Sequence, residues 1–303
     1  EYAVAALPAE RYYMKPWDFK ALLYAKESLN DAGLKLEVIE PAPPHYKIKL
    51  GLPGRDEEIE IFKQVLRNMA ALDIPVLCYN FMPQSGWYRT SFAKKGRGGA
   101  LVTAFDSKLM QAAPQLTEAG TQTDIQIWDN YKYFMDKVLP VAEACKVKLA
   151  LHPDDPPYPI FGLPRVITCE KNIDRYLSIV DSPANSLCLC TGSLGSSPDN
   201  DIPAMVRKYS AMGRIGFMHI RNVKILPDTS FEESGHLTQK GSLDMNAIVK
   251  ALVETGFEGY FRPDHGRMIW GESGKPGYGL FDRALGSAYI NGLIEANGGV
   301  IEE

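Results

Sequence analysis

Short apolar runs rich in β-branched and aromatic residues alternate along this chain with amphipathic stretches of helical periodicity. One such stretch, Arg55 to Leu72, repeats apolar residues three or four positions apart. The β-rich runs are almost continuously apolar, which is typical of parallel strands covered on both faces. Repeated strand and helix units joined by right-handed crossovers build either a closed barrel or an open doubly wound sheet. This alternation restricts the possible folds more than any other feature of the sequence.

Seven β-rich runs are visible, and they read YAVAAL, LKLEVIE, IPVLCYNF, VKLALH, SLCLCTG, IGFMHIRN and GYFRPDHG. We predict a TIM-type (β/α)₈ barrel whose first strand lies upstream of this chain or is missing from it. An open doubly wound sheet is the alternative, but no glycine-rich phosphate loop follows the first run. The barrel is predicted to be a single domain over residues 1–303, with a loop excursion at about 82–123 near its mouth.

Composition and charge argue against several classes of protein. The 303 residues are 45% hydrophobic and 23% charged with a net charge of -4, which gives no sign of a basic face for nucleic acid or anionic lipid. No apolar run approaches the roughly 20 residues of a membrane span. The five cysteines do not resemble a secreted disulfide framework. We therefore expect a cytoplasmic protein with reduced thiols, a small-molecule partner, no nucleic-acid or membrane partner, and a homo-oligomeric state.

Four consecutive strand ends carry residue types that bind metals. They close the runs LALH, LCLC, FMHI and FRPD, and they are His152, Cys190, His219 and Asp264. Because the carboxyl ends of barrel strands meet around one axis, these side chains would converge there. Two imidazoles, a thiolate and a carboxylate suit a divalent ion such as Zn²⁺, Fe²⁺ or Mn²⁺. Singly, a strand histidine or cysteine is more often structural, so it is the joint placement that predicts a metal site.

Two residues beside this predicted metal site could transfer protons. His265 follows Asp264 directly, and Tyr278 lies in the glycine-rich stretch GKPGYGL, which could fold over the mouth. Histidine titrates near neutral pH, which suits it to general acid or base catalysis. The alternatives are a surface histidine and a tyrosine that only packs. The remaining cysteines, among them Cys188 two residues below Cys190, are interpreted as core residues.

Cationic and amide side chains also gather near the predicted strand ends and could bind an acidic substrate. They are Arg89, Arg221, Asn222, Lys224 and Arg262. A guanidinium can grip a carboxylate with two hydrogen bonds, and an amide can bond a sugar hydroxyl. Most arginines in proteins are solvated surface residues, which is the alternative for each of them.

Long segments of the chain resemble the D-mannonate dehydratase family. They include CYNFMP, LHPDDPPYPIFGLPR, CTGSLGSSPDNDIP, HIRNVK and RPDHGRMIWGESGKPGYG, and the resemblance runs from about Leu34 to the C-terminus. It implies a TIM-type barrel, one Mn²⁺ or Fe²⁺ ion, and conversion of D-mannonate to 2-keto-3-deoxy-D-gluconate with loss of water. It assigns the metal role to the four strand-end residues and the acid and base roles to His265 and Tyr278.

We expect the substrate to be a sugar acid, and D-mannonate is the first candidate. The segment ALPAERYYMKPW and a shortened excursion after Arg89 depart from the family pattern, and a changed loop can alter specificity while leaving a metal site intact. Two alternatives stand beside this expectation. One is a metal-dependent sugar isomerase or epimerase on the same barrel, and the other is a non-catalytic relative that binds a sugar acid.

Overall fold

The computed structural model describes residues 2–10, 13–83, 86–111 and 120–301. The elements in chain order are β1 (Tyr2–Ala5), α1 (Phe19–Asn30), β2 (Lys35–Ile39), α2 (Tyr46–Leu50), α3 (Arg55–Ala71), β3 (Val76–Asn80), β4 (Ser91–Lys95), β5 (Leu101–Phe105), α4 (Ser107–Gln111), α5 (Asp124–Cys145), β6 (Lys148–His152), α6 (Glu170–Ile179), β7 (Asn185–Cys190), α7 (Thr191–Gly195), α8 (Ile202–Ala211), β8 (Ile215–His219), β9 (Val223–Ile225), β10 (Phe231–Glu233), α9 (Met245–Glu254), β11 (Tyr260–Arg262) and α10 (Leu280–Ala296).

Seven parallel strands form the main sheet in the order β1-β2-β3-β6-β7-β8-β11. This order follows the chain without reversal, as in a barrel, whereas a doubly wound sheet reverses at a switch point. The predicted barrel class is confirmed. Among the described residues no ladder joins β11 to β1, although the rings of Tyr2 and Tyr260 on these strands lie 5.5 Å apart. The predicted upstream strand stays a prediction.

Buried side chains from the strands fill the barrel interior. They are Val38, Val76, Cys78, Ala150, Cys188 and Phe217, with Val4 and Tyr260 packed against them. All seven strands contribute at least one of these residues, because alternate residues of a strand point to the same face. The interior is therefore a packed core, and active sites of such barrels lie at one of its ends.

The helices form the outer layer through the apolar faces that the sequence predicted. Helix α3 begins with three acidic residues, which suit the positive end of the helix dipole, and it buries five apolar side chains, among them Phe62 and Met69. Helix α5 begins with a capping box between Thr123 and Gln126. None of the helices in the described ranges combines the length and hydropathy that crossing a membrane requires.

The excursion after β3 has more structure than the sequence indicated. Its strands β4 and β5 pair in antiparallel fashion and continue into β10 and β9, giving a four-stranded sheet in the order β4-β5-β10-β9. The exposed, lysine-rich strand SFAKK has no alternation of buried and exposed residues. Its sequence pattern therefore did not predict a strand. Phe231 of β10 packs on Phe105 of β5, with ring centroids 5.6 Å apart. Residues 84–85 and 112–119 of the excursion lie outside the described residues.

Candidate metal and proton-transfer site

The four predicted metal ligands lie together at the carboxyl ends of the barrel strands. Three of them are the last residues of β6, β7 and β8, and Asp264 lies two residues after β11. One ligand atom of each lies within 4.8 Å of those of the other three. The register places Cys190 opposite His219, so the strand ends stand at the same level. Three of the four are buried, and His152 is partly exposed.

Hydrogen bonds determine which nitrogen of each histidine ring carries a lone pair. Nδ1 of His152 lies 2.7 Å from the Pro153 carbonyl oxygen, so donation there leaves Nε2 free. Nε2 of His219 lies 3.2 Å from Oε2 of Glu40. Its other nitrogen, Nδ1, is buried with no hydrogen-bond partner among the described residues and lies 3.4 Å from Oδ1 of Asp264. Each ring can therefore offer one nitrogen to a cation.

The charge around Cys190 favours its thiolate form. Burial alone would raise the pKa of this thiol, but the Arg221 guanidinium and His152 hold the pKa well below its usual value. The backbone N–H and hydroxyl of Ser193 lie 3.4 and 3.1 Å from the sulfur and can donate to it. A thiolate is the form of cysteine that binds metals.

Negative charge at the cluster favours a positive charge between its members. Burial alone would lower the pKa of His219, but Asp264 and Glu40 raise it well above its usual value. The pKa of Asp264 lies well below its usual value against the effect of burial, because His219 and His265 are close to it. A proton or a metal ion can supply the positive charge that these groups favour.

Glu40 is a site residue that our sequence analysis missed. It follows β2 directly, and its Oε2 lies 2.7 Å from Arg262 as well as 3.2 Å from His219. Burial would raise its pKa, but His219 and Arg262 lower it to about 2. The run LKLEVIE ends at this glutamate, so the strand-end argument that identified His152 could also have identified Glu40.

The two predicted proton-transfer residues lie next to each other and beside the cluster. The ring centroids of His265 and Tyr278 are 5.0 Å apart, and Nε2 of His265 lies 3.4 Å from Oδ2 of Asp264. Backbone hydrogen bonds from Gly266 to Gly277 and from Gly279 to Gly266 attach the glycine-rich loop to the end of β11. This attachment fixes Tyr278 over the barrel mouth.

Behind His265 lies a buried network of two guanidinium groups and two carboxylates. Arg89 reaches Oδ1 of Asp155 at 2.5 Å and Oε1 of Glu233 at 2.7 Å, and Arg221 contacts the same two carboxylates. The side chains of Arg89 and Arg221 are at most 1% exposed. Burial would raise the pKa values of both carboxyl groups, but the guanidinium groups hold them well below their usual range. The network is balanced in formal charge, which offsets the cost of burying it.

Among the predicted substrate-binding residues, Arg262 lines the cavity at the barrel mouth together with Asn80, His152 and Tyr278. The charges of Arg89 and Arg221 are already paired in the buried network. The amide of Asn222 donates to the Leu237 carbonyl oxygen and accepts from the Leu243 N–H. Lys224 lies on β9 with 55% of its side chain exposed. Substrate contact for all five stays a prediction.

Comparisons with known proteins agree on one family. The family model of D-mannonate dehydratase (UxuA) matches residues 9–123 and 120–301. Mannonate dehydratase of Thermotoga maritima is 45% identical to this chain over 310 residues, which cover 92% of this chain and 86% of that protein. The relative from Thermotoga petrophila is 44% identical with the same coverage.

Solved structures give the same result. The crystal structure of mannonate dehydratase from Streptococcus suis serotype 2 matches with a TM-score of 0.89 at 41% identity, covering 99% of this chain and 88% of that chain. A D-tagatose 3-epimerase-like protein matches with a TM-score of 0.61 at 13% identity, covering 97% and 89%. The second likeness shows the fold alone.

Substituting Cys190→Ser or His219→Ala should remove most of the bound metal, because each change deletes one of four donors. Elemental analysis of anaerobically purified protein should find about one equivalent of a first-row divalent ion in the parent and much less in both variants. Cys145→Ser, on α5 outside the cluster, is the matched control. Metal content that is the same in the parent and in both variants would remove the basis for this site.

Proposed function

The chain belongs to the D-mannonate dehydratase family, and on this basis we propose that it removes water from D-mannonate to give 2-keto-3-deoxy-D-gluconate. Such an enzyme is a hydro-lyase. One structural observation supports the proposal most strongly. Three of the four candidate metal ligands, His152, His219 and Asp264, line one cavity together with His265 and Tyr278, at the end of the barrel where active sites lie. The fourth, Cys190, is buried within 4.8 Å of them.

Dehydration of a sugar acid requires two difficult proton transfers. A base must remove the proton from C2, beside the substrate carboxylate, and an acid must protonate the hydroxyl that leaves from C3 as water. The resulting enol then takes a proton at C3 while its C2 hydroxyl loses one, which gives the 2-keto product. The enzyme therefore needs one proton acceptor and one proton donor close to the same two carbons.

We assign the acceptor role to His265 and the donor role to Tyr278. Burial and the charge of Asp264 raise the pKa of Tyr278 above its usual value, so its phenol keeps a proton to donate at neutral pH. Imidazole is the ordinary general base in this pH range. The separation of 5.0 Å between the ring centroids is consistent with both groups reaching adjacent carbons of one substrate.

Glu233 is suited to orient His265. Its Oε1 lies 2.9 Å from Nδ1 of His265 and can accept the proton of that nitrogen. This hydrogen bond leaves the lone pair on Nε2, the nitrogen on the side of Asp264 and the cluster. Arg221 lies 2.8 Å from the same Nδ1, and because a guanidinium only donates it cannot take the Nδ1 proton; our assignment is the tautomer in which Nδ1 donates to Glu233. In this assignment Arg89 and Arg221 act through Glu233 by holding its carboxylate in place.

The residues present fit the divalent ion that the family implies. His152, Cys190, His219 and Asp264 would hold it, and the buried Nδ1 of His219 without a hydrogen-bond partner in the described chain is a ready donor. Thiolate and imidazole donors suit Mn²⁺ less well than Fe²⁺, and we propose Fe²⁺ or Mn²⁺ in that order. When bound, such an ion supplies Lewis acidity that stabilises negative charge on substrate oxygen.

Arg262 is the predicted cation with access to the cavity, and we propose that it attracts the substrate carboxylate. Its guanidinium lies 2.7 Å from Glu40 and 2.9 Å from Asp264, and 19% of its side chain is exposed. These two carboxylates hold the guanidinium at the wall of the cavity. The remaining donor capacity of the planar group can bind a carboxylate oxygen.

The proposed reaction can be tested with D-mannonate in D₂O. The product should be 2-keto-3-deoxy-D-gluconate with deuterium at C3, because the enol takes that hydrogen from solvent, and NMR can locate it. D-gluconate, which differs only at C2, is the control and should react much more slowly. An epimerase would return an isomer with no loss of water, and a binding protein would return D-mannonate unchanged. Either of these results would contradict the proposal.

Replacing His265 by asparagine should lower kcat by about 10²- to 10⁴-fold, the usual contribution of a general acid or base. Its ring is outside the group of four metal donors, so the metal content should equal that of the parent. Steady-state rates and elemental analysis on the same preparation check both statements. A His265→Asn variant with the parental rate would exclude this residue as the base.

Glu233→Gln should lower kcat by roughly 10- to 100-fold, as is typical when a carboxylate that orients a histidine is lost. Asp155→Asn is the matched control, because it removes the other carboxylate of the same buried network without a direct contact to His265. The thermal unfolding temperature should fall by a similar amount in both variants, whereas kcat should fall further for Glu233→Gln. Equal losses of kcat in the two variants would reduce Glu233 to a structural role.

A further inference from the structure

A second group of possible ligands lies deeper in the barrel. Cys78 of β3, Cys188 of β7 and His219 are all buried, and one ligand atom of each lies within 4.8 Å of the other two. Burial raises the pKa of both thiols, and each lies close enough to the other to affect its pKa. Cys188 precedes Cys190 by two residues on the same strand face, so it lies roughly 7 Å further from the mouth. The proposed reaction makes no use of either thiol.

The surroundings of these thiols select for a soft cation. The rest of the packed interior is apolar, with Val38, Val76, Ala150 and Phe217 around the two cysteines. The carboxylate of Glu40 lies close enough to act on both thiols, but a mostly apolar lining falls far short of the roughly six oxygen ligands that Mg²⁺ and Ca²⁺ require. Zn²⁺ and Cd²⁺ bind thiolate and imidazole, and binding one such ion would release two thiol protons. The ion and two thiolates then carry no net charge, which limits the cost of burial.

An ion can reach this group from the site already described. Cys78 and His219 both line the cavity at the barrel mouth, and Cys188 is in contact with Cys78 behind them. An ion that enters from the mouth therefore meets Cys78 and His219 first, because Cys188 itself does not line the cavity.

We propose that Cys78, Cys188 and His219 form an inhibitory site for a thiophilic divalent ion, and that filling it takes His219 away from the outer cluster. His219 is the one residue common to both groups. Its Nε2 is engaged by Glu40, which leaves Nδ1 as the ring nitrogen without a hydrogen-bond partner among the described residues. One imidazole nitrogen binds one ion at a time. Occupation of the inner site therefore excludes a fully coordinated ion at the outer site. The binding itself is independent of the proposed function, and only the inhibition depends on it.

Cadmium is the appropriate probe, because its bond to thiolate absorbs in the ultraviolet. Adding Cd²⁺ to the manganese-loaded enzyme should produce this absorption together with free Mn²⁺, which electron paramagnetic resonance detects. In Cys188→Ala, the affinity for Cd²⁺ should fall by at least about tenfold, because one of the two inner thiolates is lost. Manganese should then stay bound at cadmium concentrations that displace it from the parent. Cys145→Ser, a cysteine outside both groups, should behave as the parent does.

Two further measurements keep the inference falsifiable. Cys190→Ser lacks the outer thiolate but should keep the cadmium absorption of the inner pair, and Cys78→Ala should repeat the result of Cys188→Ala from another strand. Identical cadmium absorption and manganese release in the parent, Cys78→Ala and Cys188→Ala would mean that Cd²⁺ binds at the outer cluster, and would overturn the proposal. Because absorption is read without substrate, a protein that fails to dehydrate D-mannonate can still confirm or refute the inner site.

Discussion

Burial of charge at the barrel mouth is the constraint on which the rest of this structure depends. Asp155, Glu233, Asp264 and the Cys190 sulfur are all buried, and an unpaired ion in such surroundings costs several kcal/mol. Each has a cationic partner within the site. Like Arg89, Arg221 contacts both carboxylates of the buried network, and it also lies 3.3 Å from Asp264 and 3.5 Å from Cys190. This guanidinium therefore joins the four candidate metal ligands to the buried network behind His265.

The same constraint explains the small antiparallel sheet. Glu233 is the last residue of β10, and Arg89 lies two residues before β4, so one member of the ion pair belongs to this sheet and the other is next to it in the chain. The pairing of β10 with β5 fixes the carboxylate behind His265. The small sheet thus supplies Glu233, the proposed partner of His265, which we propose as the catalytic base. Its integrity and the chemistry of the site are linked.

The barrel by itself does not specify the reaction. The structure of a D-tagatose 3-epimerase-like protein shares the fold at 13% identity, whereas mannonate dehydratase of Streptococcus suis shares it at 41%. Function on such a scaffold depends on the side chains at the strand ends. Here these side chains include a thiolate and a histidine and tyrosine pair beside it.

The sequence by itself determined the barrel class, the outer helices and the four residues of the proposed metal site, which the structure brings together. These features are encoded locally, because strand and helix periodicities and strand-end residues can be seen within a short window of chain. The excursion was predicted as a loop because β4 has little apolar pattern of its own. The residues that contact the site residues could not be predicted from the local sequence pattern either, apart from Glu40 at the end of β2.

Tertiary structure alone decided which charges meet. Arg89 and Glu233 are 144 residues apart in the chain, and Glu40 and His219 are 179 apart. It also decided that Arg89 and Arg221 lie in a buried network and that Cys78 and Cys188 share the interior with His219. Such contacts depend on strand order and register across the whole barrel. A single sequence carries no local signal for them, because the residues next to an arginine in the chain do not reveal whether it is paired inside the protein or exposed to solvent.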